Sequence, residues 1–280
     1  MEGADMGTAG GTAGVARADV KTAGVGTTTA LGRMSALARA ELILLGRAKA
    51  TLFAAVLVPL VLPFSVRSGV DQMDLAGTGL SVGSILLPSS IGFSLLFAVY
   101  SALVSVYAAR REELVLKRLR TGELRDMEIL SGAALPSVVI GVVQCLVLTA
   151  AFGVALDAGV PKAPHLALLG LLLGLVMCPA LAAVTANFSK SVEGAQVAAM
   201  PLMLVSMFGS GTFIPLEVLP DRLARFCQVL PLTPVITLIR GGWTGNLSAY
   251  EALGALVTAV AWTVLAVFAV RRWFRWEPRR

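Results

Sequence analysis

Residues 110–130 read RREELVLKRLRTGELRDMEIL, and eleven of the 21 are charged. The whole chain has only 23 Lys and Arg and 17 Asp and Glu in 280 residues, so more than a quarter of its charge lies here. The run 75–109 before this stretch and the run 129–156 that takes over at its end carry no charge. A soluble domain carries about 25% charged residues over its surface. Here the figure is 14%, with 56% hydrophobic residues and a mean hydropathy of +0.81. Charge confined to short stretches between long apolar runs marks loops between membrane helices, because uncompensated charge is expelled from hydrocarbon. That reading decides the fold class: an all-α integral membrane protein.

Working outward, six uncharged runs appear: 50–66, 75–109, 129–156, 166–189, 194–216 and 252–270. A helix needs about 20 residues to cross the hydrocarbon, within a range of about 17 to 25. Six transmembrane helices are expected, the second and third extending beyond the membrane. A seventh run, 226–239, has 14 residues and contains Pro231 and Pro234. It is too short to span and predicts a short re-entrant external hairpin between helices 5 and 6. With the N-terminus inside, the connecting segments put sixteen basic residues on the cytoplasmic side and five on the other. That bias predicts a multi-pass protein of the inner (cytoplasmic) membrane with both termini cytoplasmic.

The first 32 residues are rich in Gly, Ala and Thr and cannot bury enough apolar area to offset ordering entropy. They predict a disordered cytoplasmic tail, leaving 33–280 as the membrane domain. No apolar core follows Arg17 or Lys21 at signal-peptide distance, so a cleaved signal is not expected. Residues 33–49, RMSALARAELILLGRAK, place Leu37, Ala40, Ile43, Leu44 and Ala48 on one helical face above basic flanks. This pattern suits an N-terminal interfacial helix, the alternative being an extension of the first span. The pI of about 9.7 raises nucleic acid as a partner. The basic residues are instead divided among the predicted inside loops without interleaved aromatics, so membrane lipids are expected and nucleic acid is not.

Motifs for chemistry are missing. There is no GxxxxGKS or GxxxxGKT phosphate loop, no HExxH and no GxSxG. The single histidine, His165, sits at a predicted boundary and reads as an interface residue, a proton relay being the alternative. The three cysteines lack metal spacing and read as small hydrophobes. The spans contain no charge, which argues against an ion-coupled carrier and for energy supplied from outside the chain. Ser90, Ser94, Ser101 and Ser105 fall on one helical stripe with Phe97 in line; the stripe is either a pathway lining or small-residue packing. Gln144, mid-span, needs a partner from another helix or from substrate.

The stretch 110–130 and the segment 208–245, FGSGTFIPLEVLPDRLARFCQVLPLTPVITLIRGGWTG, together with the helix before the first span, resemble the type-2 integral-membrane subunit of ATP-binding-cassette (ABC) exporters. The resemblance covers residues 33–280 and is nearest to bacterial drug and antibiotic efflux permeases. It implies a permease rather than an enzyme, paired as a homodimer or with a second permease. It implies a separate ABC ATPase subunit, and ATP and Mg held by that partner with no cofactor or metal on this chain. Arg111, Glu112, Glu113, Thr121, Glu123, Leu124 and Met127 then belong to a cytoplasmic coupling helix that receives the ATPase's movement. Arg110–Arg120 would prolong the second helix, Thr121 would cap a new one, and Leu124, Met127 and Leu130 would form its docking ridge. Ser94, Phe97, Ser101 and Gln144 would line a pathway. Pro215, Pro231, Pro234 and Arg240 would shape the external hairpin. Cargo is expected to be hydrophobic or amphipathic. Lipid, polysaccharide or peptide export is the alternative within the family, and a secondary carrier the alternative outside it.

Overall fold

The computed structural model describes residues 82–121, 125–155, 159–211, 220–274 and 276, with isolated positions 32, 39 and 61. The predicted tail, interfacial helix and first span, along with Glu123, Leu124 and Pro215, lie outside the described residues. Among the described residues the chain is helical and has no strand. Five helices are long and apolar enough to cross a membrane, and a sixth apolar element is a pair of shorter helices bent by 96°.

The second predicted span is built from α1 (Val82–Ser94), a π-helical turn (Leu95–Ser101) and α2 (Ala102–Glu112). A short helix, α3 (Val115–Arg120), follows it. The remaining spans are α4 (Asp126–Ala155), α5 (Pro164–Ala186), α6 (Val192–Gly209) and α9 (Ala249–Trp273). Between the last two lie α7 (Asp221–Gln228) and α8 (Thr233–Thr244). Each span is apolar all round rather than along one stripe, which suits a helix whose outward face meets lipid.

The second span is the axis of the bundle. Its apolar stretch is 72% buried, against 17% for α6 and for α9. Leu87, Leu95, Val99, Leu103 and Val104 are fully enclosed along it. The outward faces of α6 and α9 expose Val197, Met200, Leu204, Val257, Val264 and Phe268. In water such a surface would drive aggregation; in a bilayer it is the matched solvent.

The bent pair α7–α8 bears out the hairpin. The break falls at 229–232, where Pro231 has no N–H to donate and Pro234 occupies the first turn of α8. Thr233 Oγ1 donates to Cys227 O at 2.6 Å across the bend. α8 is buried along nearly its whole length, packed on α5. The approach is backbone-close: a Cβ on Gly242 would lie 2.5 Å from Ala167 N, and one on Gly170 2.9 Å from Leu238 Cβ. Small residues permit that separation, which is how membrane helices gain van der Waals contact without a hydrophobic drive. Trp262 Nε1 of α9 donates to Val229 O at 2.8 Å, and Arg240 Nη2 donates to Gly211 O at 2.5 Å.

Candidate functional site

Two polar regions stand out, one at the charged end of the bundle and one inside it. At the charged end α2 finishes with Arg111 and Glu112. Arg111 is 1% exposed, and its Nη2 donates to Ser189 O at 2.6 Å. Glu112 is exposed and its Oε1 accepts from Val192 N at 3.1 Å. The chain then breaks. Leu114 adopts the left-handed region at φ 57°, a conformation unfavourable for a residue with a branched side chain. Glu113 caps α2 and is exposed.

After the break, α3 turns Leu116 into the core and leaves Lys117, Arg118 and Arg120 exposed. Thr121 closes α3, its Oγ1 donating to Arg118 O at 2.7 Å. Arg120 Nε pairs with Asp126 Oδ1 at 3.1 Å, and its guanidinium lies 5.1 Å from the Trp276 ring centroid. Both members of that ion pair are about half exposed, so it contributes little. Asn187 Nδ2 donates to Trp273 O at 3.1 Å. The end of α2, α3, the 187–191 loop and the end of α9 thus meet at one end of the bundle, opposite the end where α8 finishes beside the start of α5.

This geometry corrects three expectations. Arg110–Arg120 is not one helix, because the Leu114 turn divides it. Thr121 ends a helix instead of starting one. Met127 and Leu130 of the expected ridge belong to the start of α4, which runs on without interruption into the third span. There Met127 is 39% exposed whereas Leu130 is 5% exposed and part of the core. Among the described residues the separate short helix on this end is α3, which ends seven residues before Met127.

Inside the bundle, Ser94 Oγ donates to Gln144 Oε1 of α4 at 3.0 Å, and both side chains are buried. Ser101 Oγ donates to Gln196 Oε1 of α6 at 3.2 Å. Gln196 Nε2 in return donates to Ser101 O at 3.1 Å and to Ser105 Oγ. The π-helical turn between the two serines explains why they face different neighbours. Residues seven apart stack on an α-helix, but a wider turn advances each residue through a smaller angle. The predicted stripe is therefore split, Ser94 toward α4 and Ser101 toward α6. Phe97 is half-buried on the π turn, its ring centroid 6.5 Å from that of Phe93.

Pro231 and Pro234 are buried at the hairpin bend, and Arg240 is half-buried on α8. His165 is exposed on the first turn of α5. Gln196 was not singled out from the sequence. Its signal was a long amide inside the fifth apolar run, the counterpart of Gln144 in the third. Among the described residues, no group of three or more His, Cys, Asp or Glu side chains could hold a metal ion.

The profile of ABC-2 type transporters matches residues 33–243, most of the chain. The chain belongs to the ABC-2 type transporter family. No curated protein matches it. As an ABC-2 permease it is a membrane-spanning component of a transporter, and permeases of this family work with ATP-binding subunits. In this ABC-2 permease the charged end carries α3 with its exposed Lys117, Arg118 and Arg120, and the bend of α7 and α8 lies midway along the bundle, where Val229 meets Trp262 of α9.

Proposed function

We propose that this ABC-2 permease is the transmembrane subunit of an ATP-driven exporter of hydrophobic or amphipathic small molecules, of the drug-efflux kind. Its charged end faces the cytoplasm and receives a separate ATP-binding subunit, which holds the ATP and Mg. The observation that carries this is the convergence of α3, the first turn of α4, the 187–191 loop and the end of α9 at one end. A partner seated on that end touches elements connected to each of the described spans. The exposed Lys117, Arg118 and Met127 are its contacts, joined by Glu123 and Leu124. Arg111 and Glu112 stand behind that face.

The chain pairs with a second permease, and the pathway runs beside the second span toward the α7–α8 bend. The spans offer apolar surface without fixed charge, which suits apolar cargo. The test is ATP-driven uptake of ethidium into inside-out vesicles holding the permease and a co-expressed ABC ATPase. Uptake abolished by vanadate and indifferent to an uncoupler is expected. Uptake that collapses with the proton gradient while ATP is intact would replace this reading with a secondary carrier.

A further inference from the structure

The start of α6 is held from outside by α2. Val192 N is one of the first N–H groups of α6, which have no acceptor within the helix. Ser191 Oγ covers one such donor, accepting from Gly194 N at 3.0 Å. Glu112 covers another from eighty residues away, at 3.1 Å from Val192 N. Its carboxylate also meets the positive end of the α6 dipole. One residue earlier, Arg111 grips the preceding loop through Ser189 O and, at 3.4 Å, Ser189 Oγ. At 1% exposure Arg111 has no surface to offer a separate subunit. One turn further on, Gln196 bonds Ser101 and Ser105 of the second span, but only 17% of the apolar stretch of α6 lies inside the bundle.

We infer that Arg111 and Glu112 are positioning residues that clamp the first turn of α6 to α2, so that a displacement of residues 110–121 is passed on to the fifth span. The inference rests on the reading that an ATP-binding subunit acts at the charged end. It separates two roles within one run of sequence: exposed α3 and Met127 receive the partner, and the Arg111–Glu112 clamp routes the motion.

The test uses the full-length permease purified with its ATP-binding subunit, bearing nitroxide labels at Leu204→Cys and Val257→Cys. Both positions are exposed, on α6 and α9, and the native Cys145, Cys178 and Cys227 are buried. ATP with vanadate is the probe. The wild-type complex is expected to change its inter-label distance on trapping. Glu112→Ala should keep the ATPase at wild-type stoichiometry while the distance change falls at least about fivefold, and Glu112→Gln, which keeps an acceptor oxygen, should retain it. Arg111→Met should behave as Glu112→Ala does; if it fails to fold, the exposed Glu112 variants decide alone.

A wild-type complex with no distance change, an undiminished change in Glu112→Ala, or loss of the ATPase from that variant would each overturn the inference. A second arm needs no ATPase. In the permease alone, hydrogen exchange at the Val192 amide should quicken about five- to tenfold in Glu112→Ala and stay as wild type in Glu112→Gln. Unchanged exchange sinks the clamp itself. If the wild-type chain retains no ATPase while the exchange result holds, the functional reading fails and the clamp stands.

Discussion

Gln144 brings an amide into the apolar interior and Gln196 brings one into the first turns of α6, and the serines of the second span supply a partner to each. In hydrocarbon such bonds average about 0.6 kcal/mol and reach about 1.7 kcal/mol, because the unfolded helices also find acceptors. A double-mutant cycle of Ser94→Ala and Gln144→Leu is therefore expected to return a coupling of about 0.6–1.7 kcal/mol in a detergent unfolding titration. A coupling near zero would mean that the two side chains do not share a bond in the membrane. The need for a partner at Gln144 was legible in the sequence. Which serine supplies it was not, because the choice depends on the π turn, and nothing in LLFAVYS marks a change of helical pitch.

The break between α2 and α3 shows what an element boundary looks like without its usual punctuation. Spans and hairpin were legible because charge-free length and paired prolines act directly on solvation and on backbone N–H groups. Leu114 offers no such signal: it is a good helix former placed in the left-handed region by the packing of Leu116 behind it. A non-glycine residue there is strained by about 1–2 kcal/mol. Its side chain is 38% exposed, so little packing is lost on removal. Leu114→Gly is expected to raise stability by about 1 kcal/mol, read as a higher unfolding midpoint. A lower midpoint would show that the side chain, and not the turn, holds α3 in place.

Taken whole, the molecule has a charged end and an opposite end where α5 and α9 begin, and the basic residues of the first predict a sidedness. Met127 is exposed at the first and Tyr250, at the start of α9, at the second. Met127→Cys should react with an impermeant maleimide in inside-out vesicles and not in intact cells, and Tyr250→Cys the reverse; the opposite pattern would invert the topology. The predicted sidedness rests on the basic residues alone and needs no helix to be placed. The closing together of separate loops at the charged end could not be read that way, since it rests on Arg111, Asn187 and Trp276 meeting across long stretches of chain.

The enclosed second span also sets an order of events at the ribosome. Ser101 enters the bilayer 95 residues before Gln196, its partner, has been synthesised. At roughly 5–20 residues per second that is a wait of about 5 to 19 seconds. Through that interval its hydroxyl must bond its own helix or whichever span is already in place. The most buried of the described spans is thus among those that insert early and are completed late. A pause in translation between residues 101 and 196 would leave an inserted chain whose central helix has not yet acquired its walls.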